Sequence, residues 1–269
     1  MKVYMSTDME GASGVTQELM TFADQPRYHE GRRALTLDVN AAVRGAKAGG
    51  ADEIAVSDGH GACGACNFIF EELEAGARYI MGSPRHEQVL DESFDLVFCV
   101  AYHGMAGADC AVLDHTQSSR AIVQIHFNDL VVGELGMTAA TAGHFGVPVG
   151  LVTGDEATCE EARELLGDKV LVAPVKRGLS RTAAVCMAPA DARALIEERA
   201  REAVERADEF EPWTIDEPVT LRVQYLRTEQ ADGWRAAMGD RVRMLDARTV
   251  EVDCDNAFHA VQAYRKTRV

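Results

Sequence analysis

Short apolar runs alternate with longer amphipathic stretches through the first two thirds of the chain. Val3, Tyr4 and Met5 predict a first β-strand over residues 3–5. Leu35, Val39, Ala42, Val43 and Ala46 recur at helical spacing and predict a helix over residues 32–48, with Gly49 and Gly50 as its stop. Further strands are expected at 53–57, 96–101, 147–152 and 169–173, and further helices at 134–145 and 156–166. Residues 121–132 read as a hairpin turning at Asn128 and Asp129. Strands that alternate with helices call for crossover connections, so the expected fold is α/β, a mostly parallel sheet with flanking helices.

The pattern changes after Ser180. Residues 189–210 read as one long, heavily charged helix, and Pro212 and Pro218 flank a linker around Trp213. A strand (219–226), a helix (229–238), two short strands (241–245 and 249–253) and a last helix (257–266) follow. That order predicts a smaller C-terminal α+β unit. The expected division is residues 1–185 as a catalytic α/β domain and 186–269 as the long helix plus the small unit, with self-association as its role.

Composition narrows the function. Lys and Arg total 27 against 43 Asp and Glu, a net charge of −16, which argues against nucleic acid or an anionic membrane as partner. The longest strongly apolar stretch, residues 96–102, is far too short for a membrane span, and the N-terminal residues do not read as a signal peptide. Seven cysteines, an odd number scattered through a full-sized chain, fit a reducing compartment better than a disulfide framework, so the expected location is the cytoplasm.

The candidate chemistry lies at the predicted strand ends. Asp8 and Glu10 follow the first strand, with Gly11 and Gly14 forcing a turn. His60 follows the second strand, His103 follows the strand at 96–101, and Glu134 opens a helix inside Val132-Gly133-Glu134-Leu135-Gly136. The C-terminal ends of parallel strands share one edge of a sheet, so these groups can converge. Three carboxylates and two imidazoles suit zinc, with manganese or cobalt as alternatives, and five ligands suit two ions sharing a bridging carboxylate better than one. Taken singly, each residue has a plainer reading. A lone histidine is more often core or surface than ligand, and a glutamate at a helix start is favoured by the dipole alone. Only the joint pattern carries weight.

Other signals are discounted. Gly59-His60-Gly61-Ala62-Cys63-Gly64 matches a dinucleotide-binding glycine pattern but lacks the helix that should follow. Cys63 and Cys66 form a lone C-x-x-C, a redox dithiol at most and more plausibly two small loop residues. His29, His86, His126, His144 and His259 have no partner pattern and are read as structural. Lys176 and Arg181 either bind a substrate carboxylate or a neighbouring subunit, or form surface ion pairs, with equal weight.

The opening Tyr4-Met5-Ser6-x-Asp8-Met9-Glu10-Gly11 resembles the start of the zinc-dependent D-aminopeptidases associated with dipeptide transport, peptidase family M55. Ser57-Asp58-Gly59-His60, Tyr102-His103, Asp114-His115, Asn128-Asp129 with Gly133-Glu134-Leu135-Gly136, and Val175-Lys176 through Ser180-Arg181 continue the likeness to about residue 190. The interval from His103 to His115 is one residue longer than the family pattern. The resemblance implies two zinc ions per chain, bridged by Asp8, with Glu10 and His60 completing one site and His103 and Glu134 the other. It implies His115 as a catalytic histidine that is not a ligand; the neighbouring Asp114 is a candidate to orient it, although adjacent side chains often point apart. It also implies release of N-terminal D-residues from short peptides, and a ring-shaped homo-oligomer, a decamer being one possibility. Two alternatives stay open: the same metal site acting on another amide such as a cell-wall peptide fragment, and a thiol redox or metal-binding protein built on Cys63 and Cys66.

Overall fold

A computed structural model describes residues 1–82 and 89–267, so the expectation for His86 falls outside the described residues. Two sheets organise the molecule. The first has seven strands in the order β3-β2-β1-β4-β7-β8-β9. These are β1 (Lys2–Thr7), β2 (Glu53–Asp58), β3 (Arg78–Ile80), β4 (Leu96–Tyr102), β7 (Val149–Asp155), β8 (Leu171–Ser180) and β9 (Ala183–Cys186). All neighbours pair in parallel except β8 with β9. Every residue of β4 and β7 is buried, as expected of central parallel strands covered on both faces. The second sheet is antiparallel, in the order β11-β12-β10-β5-β6. It joins β5 (Ile122–Phe127), β6 (Leu130–Val131), β10 (Val219–Tyr225), β11 (Arg243–Met244) and β12 (Thr249–Cys254).

Among the described residues six α-helices cover these sheets: α1 (Tyr28–Ala48), α2 (Glu134–His144), α3 (Glu156–Leu166), α4 (Pro189–Glu205), α5 (Thr228–Met238) and α6 (Ala257–Lys266). The α/β class with a mostly parallel sheet and an α+β part is as expected. The grouping of elements differs from the expected division at residue 185. Helix α4 belongs with the first sheet, because Ala192, Ile196, Ala200, Ala203 and Val204 are buried in the same core as Leu35, Val39 and Val43 of α1. The β5-β6 hairpin belongs with the second sheet, where β5 pairs with β10 and Ile125 and Phe127 share a core with Leu221 and Val223. Charge dominates the sequence of α4, whereas its small apolar stripe decides its place. Helix α4 also ends at Glu205, before a separate 3-10 turn at Ala207–Glu209, not at residue 210 as the pattern predicts.

Two details set the sheet edge used below. Ala101 takes a left-handed backbone (φ 62°) where β4 loses register with β7, which swings the chain out toward His103. Gly11 donates its backbone N–H to the Ala101 carbonyl at 2.9 Å, and a Cβ on Gly11 would lie only 1.8 Å from the Tyr102 carbonyl oxygen. Only glycine allows that approach. Among the described residues no helix is long and apolar enough to cross a membrane.

The α1–α4 contact depends on a second close approach. A Cβ on Gly45 would lie 2.2 Å from the Glu197 carbonyl and 2.7 Å from the Ala200 Cβ. Backbone cannot yield as a side-chain tip can, so Gly45→Val should lower the unfolding free energy by about 3 kcal/mol, the upper end for overpacking. Urea denaturation measures this, and an unchanged midpoint would show that the helices slide apart without cost.

Candidate metal centre

The C-terminal ends of β1, β2 and β4 bring Asp8, Glu10, His60 and His103 to one edge, and the N-terminus of α2 brings Glu134 beside them. Asp8, Glu10, His60 and His103 are all buried. Asp8 stands at the centre: its Oδ1 is 3.0 Å from His60 Nδ1 and its Oδ2 is 3.0 Å from His103 Nε2. Glu10 Oε2 is 3.1 Å from His60 Nδ1. Glu134 Oε1 is 3.5 Å from His103 Nε2 and 3.6 Å from His115 Nε2. His103 and His115 stack, with centroids 4.0 Å apart and an interplanar angle of 11°. The structure therefore brings all six sequence-predicted residues together.

The far nitrogen of each ring fixes what the near one offers. His60 Nε2 lies 2.8 Å from the Thr21 carbonyl, His103 Nδ1 lies 2.9 Å from the Gly104 carbonyl and His115 Nδ1 lies 2.9 Å from the Leu113 carbonyl. A carbonyl oxygen only accepts, so each far nitrogen carries the proton. In neutral rings the lone pairs of the three near nitrogens then face carboxylate oxygens. Such an arrangement is repulsive unless a cation lies between the partners. Buried Glu10 Oε2 and His103 Nε2 make no hydrogen bond, although each has an opposite partner within about 3 Å. The donor set therefore fits a divalent metal. Asp8, Glu10 and His103 have ligand atoms within 4.8 Å of one another, as do His103, His115 and Glu134. His115 thus sits within ligand range, closer than the non-ligand role implied by the resemblance requires.

Without metal, protons must serve instead. Burial pushes the His60 and His103 imidazoles down, but the carboxylates of Glu10 and Asp8 around His60, and of Asp8 and Glu134 around His103, hold both well above the ordinary value. Burial likewise pushes Asp8 up, and the two imidazoles outweigh it and hold Asp8 well below the usual carboxylate range.

Supporting residues that the sequence reading did not assign fix the loops. Lys176, expected as a surface cation or ligand, is buried on β8. Its Nζ donates to the carbonyls of Glu10, Ala12 (2.9 Å) and Val15 (2.6 Å). Asp58 accepts from Asn67 Nδ2 at 2.7 Å, and Asn67 Nδ2 also donates to the His60 carbonyl at 2.8 Å. Asp155 caps α3 and accepts from Val112 N at 2.8 Å, while Glu161 accepts from Met105 N at 3.0 Å. Together they pin the loop between His103 and His115. Asp114 does not orient His115; it accepts from Gly107 N and pairs with Arg181 Nε at 3.2 Å. An acid at a strand end within an apolar run was the available signal for Asp58 and Asp155. Nothing local marks Glu161. His144 stacks on Phe258, His259 pairs with Asp255, and Cys63 and Cys66 are exposed free thiols near a 3-10 turn at Ala62–Gly64. Five of the six groups, all but His103, line a cleft of about 560 Å³.

Two outcomes follow. Lys176→Met leaves three loop carbonyls without their donor, and should cost about 3–5 kcal/mol of stability as a broken buried charge site. Chemical denaturation reads it, and a loss below about 1 kcal/mol would mean that the loop holds itself. Burial pushes the Glu161 carboxyl up to about 7, from an ordinary 4.5. The unfolded chain ionises first, so this group's contribution is present below pH 4.5 and is lost as pH rises to about 7. Glu161→Gln removes that loss, so its stability relative to the parent should rise by roughly 3 kcal/mol between pH 4.5 and 7.5. A relative stability that stays flat with pH would place Glu161 in water.

The chain is similar to known proteins over nearly its whole length. The family model described as D-aminopeptidase, Peptidase_M55, matches residues 1–266. A D-aminopeptidase of Bacillus subtilis (strain 168) is 31% identical over 266 residues, which span 98% of this chain and 95% of that protein. The solved structure of the zinc-dependent D-aminopeptidase DppA from Bacillus subtilis, described as a self-compartmentalizing protease, superposes with a TM-score of 0.92 at 30% identity. That match covers 99% of this chain and 96% of the other. With a full-length family match joined to a fitting donor set at the sheet edge, the chain belongs to peptidase family M55, the D-aminopeptidases.

Proposed function

We propose that this chain is a zinc aminopeptidase that holds two zinc ions and releases N-terminal residues, D-residues by preference, from short peptides. The zinc dependence and the D-aminopeptidase activity of its relatives support the reaction class. The observation that carries the reading is the convergence of three imidazole lone pairs on three carboxylates, a donor set without purpose in the absence of cations. Asp8 faces His60 with one oxygen and His103 with the other, which supports a bridging role. Glu10 and His60 would complete one site, and His103 and Glu134 the other. Zinc held there supplies Lewis acidity, lowering the pKa of water and polarising a carbonyl.

The chain's own groups do the rest. His115 is locked by the Leu113 carbonyl with Nε2 facing the cluster, placed to move a proton at the leaving amine. Gln117 donates its backbone N–H to Glu134 Oε1 at 2.7 Å and so fixes that carboxylate. For assembly we propose a ring-shaped homo-oligomer, a decamer being the size to test. The relative described as self-compartmentalizing supports it, as does the exposure of Leu179 and Val185 on the β8-β9 edge. We place the protein in the cytoplasm from its cysteine usage.

Elemental analysis of gently purified protein should give close to two zinc ions per chain, and Glu134→Gln should lose about one. His115→Ala should keep its zinc yet lose on the order of 10²–10⁴ in kcat on a D-aminoacyl peptide. Metal-free protein that takes up no added zinc would sink the metalloenzyme reading. Loss of zinc in His115→Ala would instead make His115 a ligand. Faster turnover of a cell-wall peptide amide than of any dipeptide would favour the broader amidohydrolase reading.

A further inference from the structure

Acids and cations line the same cleft: Asp8, Glu10 and Glu134 share it with Arg120, Arg181 and Arg265, in a chain of net charge −16. Two of these guanidiniums are engaged. Arg181 pairs with Glu18 at 2.9 Å and with Asp114 at 3.2 Å, and Arg265 has its own partners. Arg120 differs. Its guanidinium carbon lies 4.9 Å from the centroid of the Phe22 ring, another lining residue, and among the described residues it pairs with no carboxylate. A guanidinium resting on a ring face keeps its N–H edge available for a planar, two-oxygen acceptor.

Its backbone is tied to the catalytic groups. The segment from His115 to Arg120 is held at Gln117 by Glu134. It then turns tightly, with Ala121 N and Ile122 N donating to the Ser118 carbonyl at 3.2 and 3.1 Å, and Arg120 O accepts from Gln230 Nε2 at 3.1 Å. The guanidinium is thus carried on a strap fixed to the metal-site carboxylate itself.

A short peptide is a zwitterion at neutral pH. With its N-terminal residue at the metal cluster, its C-terminal carboxylate must enter a cleft already lined by acids, where an unpaired carboxylate is costly. We propose that Arg120 takes that carboxylate as a bidentate partner, so that the cleft selects di- and tripeptides with a free C-terminus. The cleft's size fits: about 560 Å³ lies within the roughly 300–1,000 Å³ of small-ligand sites, and an extended residue spans roughly 3.3–3.6 Å. This inference rests on the aminopeptidase reading.

The test is the ratio of kcat/KM for a D-aminoacyl dipeptide to that for its C-terminal amide, on zinc-loaded full-length protein. The parent should favour the free acid by roughly 10- to 100-fold, the worth of a charge-assisted pair. Arg120→Gln should bring the ratio near one, chiefly through the KM of the acid, and Arg120→Lys should recover part of it. Both substrates are read on one preparation, so partial misfolding cancels. A parent ratio near one, or a ratio that survives Arg120→Gln and falls in Arg181→Gln, would overturn the assignment while leaving the aminopeptidase intact. Hydrolysis of neither substrate by the parent would overturn the aminopeptidase reading and this inference with it.

Discussion

The constraint on which the site depends is the direction of three imidazole protons. Thr21, Gly104 and Leu113 each offer a backbone carbonyl to the far nitrogen of a ring, and so turn a lone pair toward Asp8, Glu10 or Glu134. This makes the metal-free site a place of concentrated strain, with buried acids and bases that only protons or cations can reconcile. A sheet edge that gathers such groups needs support, and it comes from Lys176 beneath the Glu10 loop and from Asp155 and Glu161 behind the loop after His103. The same edge demands the left-handed Ala101 and the missing side chain of Gly11, because the chain must leave β4 sharply to deliver His103.

Much of the fold was legible in the sequence because its strongest elements are long and periodic. Helix α3 over residues 156–166 and helix α6 over residues 257–266 fall where spacing puts them. The β5-β6 hairpin also turns at Asn128, which takes φ 56°. Strands β3 and β9, three and four residues long, carry too little pattern to read. Which sheet an element joins is a tertiary matter. Local pattern shows a charged helix at 189–210 but not that Gly45 of α1 lets it pack closely, and it shows a hairpin at 121–132 but not that β10 will pair with it almost a hundred residues later.

The site divides along the same line. Ligand candidates could be named because strand ends, and the residue types found there, are visible along the chain. The roles of the supporting residues were not, since Lys176 reads as a carboxylate-binding or surface cation and its buried role shows only when three carbonyls close round it. His115 shows the limit in the other direction. The adjacent Asp114 was a candidate to orient it, with divergence of neighbouring side chains the known objection, and a carbonyl two residues back does the work.

Backbone carbonyls in those three positions also set the charge of the centre. Had carboxylates held the far nitrogens, each would have added a negative charge and made the rings more basic. With carbonyls, the formal charge of the donor set stays at the three carboxylates Asp8, Glu10 and Glu134 with neutral imidazoles. Two divalent ions as proposed would then leave about one unit of positive charge, −3 plus 4, in a water-poor setting where charge is poorly screened. Under that proposal the surplus would let a strongly acidic protein attract an electron-rich carbonyl to its own most acidic corner. A guanidinium paired directly with Asp8, Glu10 or Glu134 would compete with such ions for the same carboxylates, and among the described residues the guanidiniums of Arg120 and Arg181 make no such pair.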